Sequence, residues 1–194
     1  MHDPWMELQV LTVKQIETVE QMRTTRTRTA CIMYWSYDLS YIETGISAKV
    51  LQNTSIWSQQ MNSLRFFPDQ NKVCYVVFIS TGFKCLIRAG FYNGNYDAQI
   101  RPPTFDLQID GNKWATIVTS LQQQPIFKEV IIMPLRNKTS ICVARMRDGE
   151  IPFISSLEVI ELPMILYRWM DPTYAMIKEC SVDGILAQNK QLGE

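Results

Sequence analysis

Between Thr104 and Asp110 the chain alternates without a break, Phe105, Leu107 and Ile109 apolar, Thr104, Asp106 and Gln108 polar. A two-residue repeat sends the first set to one face of an extended strand and the second to the other, which a helix of about 3.6 residues per turn cannot do. One face is built for a core and the other for water. Asp110-Gly111 follows, the residue types that accept the positive φ of a two-residue hairpin turn, and Trp114 to Val118 can return as the partner strand. The middle of the chain is thereby committed to antiparallel β structure.

The flanking sequence keeps the same texture. Val73 to Ile79 is a continuous apolar run closed by Ser80-Thr81-Gly82, as expected of a strand buried on both faces. Lys84 to Tyr92, with Leu86, Ile87 and Phe91, forms a second run, and Phe127 to Met133, Ser140 to Met146 and Phe153 to Ile160 are further strand candidates. Asn137-Lys138 and Asp148-Gly149 supply turns between the last three. No helical pattern intervenes, so the expected fold is an all-β, antiparallel β-sandwich of jelly-roll type, and 194 residues suit one such domain. Phe105, Leu107, Trp114, Phe153 and Leu157 are the expected core.

The ends read differently. Val13, Ile16, Val19 and Met22 recur at every third position and predict a short amphipathic helix, followed by the basic, Thr-rich stretch Arg23 to Thr29, read as a solvated linker. Residues 1–30 are therefore a helical or irregular extension, 31–162 the sandwich, and 163–194 a linker and frayed tail. Within that tail, Tyr174 to Lys178 fits either a short strand or a helical turn.

Several kinds of chemistry lose their markers. Nineteen basic residues balance nineteen acidic ones, leaving no net field to draw the chain onto nucleic acid. His2 is the single histidine, which removes histidine triads and His-rich zinc sites, and there is no GxGxxG, GxxxxGK[ST] or GxSxG. The five cysteines, Cys31, Cys74, Cys85, Cys142 and Cys180, lack metal-ligand spacing. No metal or cofactor is expected. A glycosidase needs only two suitably separated carboxylates, and Asp97, Asp106, Asp110, Glu129 and Glu158 lie in the β region, where acidic residues ordinarily form a solvated face. Arg88 interrupts an apolar strand and needs a partner, with Asp106 and Glu158 as candidates. Cys74 and Cys142 lie on separate strands, either paired or as two buried thiols. No apolar run is long enough for a membrane span, and the N-terminus lacks a signal peptide's apolar core. Two sequons, at Asn53 and Asn137, mark candidate N-glycosylation sites.

Five segments, in order, resemble the malectin-like domain of plant receptor-like kinases and their secreted relatives. Ser36-Tyr37-Asp38 through Tyr41-Ile42-Glu43-Thr44-Gly45 is similar to that domain's opening motif, and Leu64-Arg65-Phe66-Phe67-Pro68-Asp69 with Asn71 to Tyr75 to its "LRxFPxG…NCY" element. Leu86 to Asp97 followed by Pro102 to Leu107 is similar to "YLIRAxFxYGNYD…PPxFDLxxG"; Ile141-Cys142-Val143 and Pro152 to Val159 are similar to "ISVCLV…TPFISxLELRPL". The likeness runs from Trp35 to Leu162 and fades through Tyr167 to Lys178. It lacks the family's opening "FxSIDCG" strand, so a sheet edge would stand open unless residues 6 to 13 replace it.

The resemblance implies a non-catalytic domain of the secretory pathway or cell exterior, from a receptor-like protein or a fragment of one. Through animal malectin it implies binding of a glucose-containing or cell-wall carbohydrate, with Tyr96 and Asp97, then Tyr92 and Asn95, as contacts: aromatic faces for the pyranose, amide and carboxylate for its hydroxyls. The same loop also reads as structural, with both tyrosines packed beneath it, Asn93-Gly94-Asn95 bending the chain and Asp97 capping a turn. The family's alternative partner is a secreted peptide or co-receptor held between tandem lobes, of which one is seen here. A fragment with no ligand of its own is the third possibility.

Overall fold

The computed structural model describes residues 9–15, 31–52, 59–121, 124–162, 174–181 and 184–191. Their strands are β1 (Gln9–Gln15), β2 (Cys31–Tyr37), β3 (Ile46–Lys49), β4 (Ser63–Phe66), β5 (Lys72–Phe78), β6 (Lys84–Phe91), β7 (Thr104–Ile109) and β8 (Asn112–Val118). The remainder are β9 (Ile126–Ile132), β10 (Lys138–Arg145), β11 (Phe153–Ile154), β12 (Ser156–Leu162), β13 (Tyr174–Ser181) and β14 (Gly184–Gln191). Single 3-10 turns at Asp38–Ser40 and Gln59–Asn62 are the helical segments among the described residues.

The strands form a seven-stranded sheet, in the order β14-β13-β9-β6-β12-β1-β2, a four-stranded sheet, β5-β10-β7-β8, and a three-stranded sheet, β11-β4-β3. Their inward side chains make one continuous core: Ile87, Ala89, Val130, Leu157 and Val159 from the large sheet meet Val73, Tyr75, Val77, Phe105, Leu107, Ile109 and Ile117 from the four-stranded sheet. Phe105 lies at its centre, 5.6 Å from Phe91 and 5.4 Å from Phe153 between ring centroids, both edge to face. The β7 alternation does what the sequence requires: Phe105, Leu107 and Ile109 are buried and their neighbours half-buried. Asp110 and Gly111 take φ of +47° and +86°, and the Asp110 carboxylate accepts hydrogen bonds from Thr139 Oγ1 (2.9 Å) and the Ser140 amide (2.7 Å). The hairpin turn is therefore pinned to the start of β10.

Three expectations are corrected. The apolar run at β5 is buried on one face only; Val76 and Phe78 are 39% and 63% exposed, because β5 ends its sheet and its outward face is uncovered. An unbroken apolar run cannot say which of its faces finds a neighbour. Gln9–Gln15 is a strand, parallel to β12 and antiparallel to β2, so the helical spacing that starts at Val13 does not describe it; Ile16, Val19 and Met22 lie outside the described residues. Inter-strand hydrogen bonding along β12 overrides a weak three-residue repeat. At the other end, Gly184–Gln191 pairs with β13, and β13 with β9, where a frayed tail was expected. Backbone pairing settles Tyr174 to Lys178 as strand.

Cys74 and Cys142 face each other across the β5–β10 ladder and are joined by a disulfide. Cys85 is a buried free thiol, and burial, helped by the Glu161 carboxylate, pushes it from 9.0 up to about 12. A thiol that holds its proton longer when folded makes the folded state bind more protons between those values, so it contributes stability at neutral pH that is lost as pH rises through that window. The expected loss is up to about 1.4 kcal/mol per pH unit from this group. Cys85→Ala flattens the fall in urea midpoint across the same window; an unchanged slope shows the thiol is not involved.

Candidate functional site

The residues proposed for ligand contact lie in the loop between β6 and β7. It is anchored at both sides. The Tyr92 amide donates to Ser155 Oγ at 3.0 Å, and the Ser155 amide donates to Gly90 O at 2.9 Å, locking the loop's start to the β11–β12 junction. Gly94 O then accepts the amides of Leu51 (2.9 Å) and Gln52 (3.1 Å). This approach requires glycine, since a Cβ on residue 94 would stand 2.4 Å from Val50 Cβ at a φ of +51°.

Of the four candidates, Tyr92 is buried, and its hydroxyl meets Gln52 Oε1 at 3.4 Å. Asn95 (φ +53°) accepts the Ile100 amide on Oδ1 at 3.2 Å, and Asp97 accepts the Gln99 amide at 3.1 Å, so both side chains hold turns. Asn93 adds a third such bond, to the Asn95 amide at 2.9 Å. Tyr96 turns its ring inward, 4.9 Å from Phe66 and 6.0 Å from Phe153, where burial and then the Asp97 charge raise its hydroxyl pKa. The four residues come together, but their aromatic faces are turned to the protein; Asn95, Tyr96 and Asp97 keep partial exposure.

Beside the exposed polar side chains of Gln52, Gln99 and Arg101, the loop end presents two aliphatic ones to solvent. Leu51 and Ile100 are 64% and 69% exposed, on the two segments that Gly94 ties together. Ile100 holds a φ of +54°, and Ala98 +56°, a conformation that L-residues with a Cβ adopt at a cost of about 1–2 kcal/mol each. No periodic pattern marks Leu51 or Ile100 in the sequence; the one clue is that turn-forming residues, not an apolar strand, surround Ile100.

Two charged clusters lie elsewhere. Arg88 on β6 sits in register between Glu158 on β12 and Glu129 on β9, donating from Nη1 to Glu158 Oε2 at 3.0 Å and from Nε to Glu129 Oε1 at 2.6 Å. Glu158 is the expected partner; Asp106 is not, being 2.9 Å from Lys113 Nζ and 2.9 Å from Thr116 Oγ1. Burial raises the Glu158 carboxyl, with Arg88 opposing. The second cluster is deeply buried: Arg65 on β4 grips the Asp38 carboxylate through Nε and through Nη2 (2.9 Å), reaches Gly45 O at 3.1 Å, and Tyr75 donates its hydroxyl to Asp38 at 3.3 Å. Gly45, at φ +89°, lies so close to Phe67 that a Cβ there would stand 2.5 Å from its ring. Two of the motif segments, Ser36 to Gly45 and Leu64 to Tyr75, thus converge on one ion pair. Among the described residues there is no cluster of metal-ligating side chains and no helix long and apolar enough to cross a membrane.

Comparison with known proteins fits this architecture. A probable LRR receptor-like serine/threonine-protein kinase, MEE39 of Arabidopsis thaliana, is 35% identical over 126 residues, which is 64% of this chain and 14% of that protein. The crystal structure of the ANXUR1 extracellular domain from Arabidopsis thaliana superposes with a TM-score of 0.62 at 18% identity, covering 89% of this chain and 49% of that one. The plant peptide RALF23 complex with FER and LLG2 contains a chain matched at a TM-score of 0.57 and 11% identity, over 92% of this chain and 48% of that one. This chain therefore spans about half of the ectodomains it matches and a smaller share of the kinase. The family model of the malectin-like domain matches residues 20–184, and the chain belongs to that family.

Proposed function

We propose that this chain is a non-catalytic recognition lobe of a plant receptor-like protein, exposed to the cell exterior or secretory pathway, and that it binds a secreted peptide or a co-receptor protein through the end of the sandwich carrying Leu51 and Ile100. The observation that carries the reading is the orientation of the β6–β7 loop: its aromatic rings are spent on the interior, leaving outside the exposed Leu51 and an exposed Ile100 held at positive φ. Apolar anchors on a backbone already ordered before binding suit protein contact. Backbone strain of this kind gathers at ligand clamps. The Cys74–Cys142 disulfide supports an oxidising compartment. Two of the candidate carboxylates, Glu129 and Glu158, are held together by Arg88, which favours structure over hydrolysis for that pair.

The matched complex holds the plant peptide RALF23 together with FER and LLG2, so RALF23 and LLG2 are the natural probes. Immobilised full chain is expected to bind one of them, and Ile100→Asp or Leu51→Asp to weaken that binding at least about tenfold, the loss of roughly one apolar anchor. Ile100→Gly is expected to weaken binding while raising stability by about 0.5–1 kcal/mol, because the left-handed strain is relieved. A less stable Ile100→Gly protein contradicts the strain argument. The partial exposure of Asn95, Tyr96 and Asp97 supports the carbohydrate reading as second choice. Glycan-array binding abolished by Asp97→Ala, without binding to either protein probe, would replace the first reading with it.

A further inference from the structure

We propose that the open edge of β5 is a strand-addition site, taking one extended segment of a partner polypeptide that is apolar at alternate positions and acidic at its ends. The inference goes beyond the Leu51–Ile100 surface and does not depend on it. Among the described residues β5 pairs only with β10, through a ladder of seven residue pairs without a register shift. The Arg145 amide donates to Asn71 O at 2.7 Å and the Ile79 amide to Asn137 O at 3.0 Å, so positions 71 and 79 turn their backbone groups toward β10. By alternation Val73, Tyr75 and Val77 do the same, and Lys72, Cys74, Val76 and Phe78 aim theirs at the open edge. The strand contains no proline or glycine to blunt that edge.

The same four residues supply the outward face, where Lys72, Val76 and Phe78 are exposed and Cys74 is half-buried. Lys138 lies on that face too, directly opposite Phe78. The outward side chains of β5 and β10 thus include two lysines and no carboxylate, and neither lysine makes an ion pair among the described residues. A second copy of the chain meets this surface badly. Paired antiparallel over its full length, it would set Lys72 across from Phe78 of that copy, in line with its Lys138, two cations with no acid between them. An edge lysine discourages such self-pairing. A strand with acidic ends is drawn to the same two lysines, and its apolar side chains lie beside Val76 and Phe78.

The disulfide makes this edge a fit template. A strand bonded to a single neighbour is readily peeled away, but Cys74, near the middle of β5, is joined covalently to Cys142 of that neighbour. The outward backbone groups are therefore held in place before a partner arrives, which lowers the ordering cost of binding. Of the two sequons, Asn53 lies outside the described residues, and Asn137, bonded to Ile79, falls on the face alternate to Phe78. Neither closes the edge.

The test titrates the full chain into a capped, fluorescently labelled peptide matching the seven-residue length of β5, alternating threonine and valine between an aspartate and a glutamate. Saturable binding is expected, with Lys72→Glu and Val76→Pro each weakening it at least about tenfold. The Val76 amide points to the open edge, so proline there removes an edge donor without touching the β5–β10 ladder, and the variant is expected to keep its unfolding midpoint. Methylating the peptide's backbone nitrogens at alternate residues is expected to abolish binding for one set and spare it for the other, a readout that stands even if Val76→Pro unfolds. No binding, or binding that both methylated sets retain, overturns strand addition, the second result being attraction to charge alone. A dimer of the chain alone that Val76→Pro dissociates gives the edge to a second copy and overturns the choice of occupant. Ile100→Asp is expected to leave peptide affinity unchanged; a loss of about tenfold would merge this site with the loop surface and overturn its independence.

Discussion

Replacing Arg65 with methionine is expected to destabilise the folded chain by about 3–5 kcal/mol, read as a fall in the denaturant midpoint at neutral pH. The cost is not simply the value of an ion pair. Asp38 and Arg65 are both buried, and the pair recovers the desolvation of two charges through a two-pronged contact, with Tyr75 and Gly45 O completing it. Removing only the guanidinium leaves a carboxylate in the interior with a single hydroxyl donor. The triple replacement Asp38→Leu, Arg65→Met, Tyr75→Phe is expected to recover much of the loss, since no charge is then stranded. If Arg65→Met costs less than about 1 kcal/mol, the value of a surface pair, the cluster is not the anchor described.

Breaking the Cys74–Cys142 bridge is the second large effect. It closes a loop over a sequence separation of 68, for which chain-entropy reasoning gives about 4 kcal/mol. Cys74→Ala with Cys142→Ala is expected to lower the unfolding midpoint by that order. Adding reductant to the unsubstituted chain should produce the same shift, and no further shift in the double variant. A reductant effect that persists in the double variant would locate the sensitivity elsewhere.

What the sequence revealed of the fold divides along a physical line. The Phe105, Leu107, Ile109 alternation and the Asp110-Gly111 turn were legible because they depend on residues next to one another. The exposure of Phe78 was not, since it depends on which strands lie over β5. Arg88 advertised its need for a partner, and charge left Asp106 and Glu158 as candidates, of which the structure takes Glu158; Glu129 was missed because only the β6–β9 register makes it a neighbour. Arg65 prompted no such search, and its partners, Asp38 and Tyr75, stood inside motifs recognisable separately but not as one cluster. The β6–β7 loop offered two readings of the same side chains. Geometry assigns Tyr92 and Asn93 to the interior, while the outward Leu51 and Ile100 follow from how two distant segments meet at Gly94.

The side-by-side alignment of β1 with β12, Val10 opposite Leu157, ties a strand to one made only after β2 through β11. While translation proceeds, β1 can form a hairpin with β2, but its second edge has no mate until β12 has emerged from the ribosome. For that interval the nascent chain carries a half-satisfied ribbon, the kind of segment that chaperones shelter.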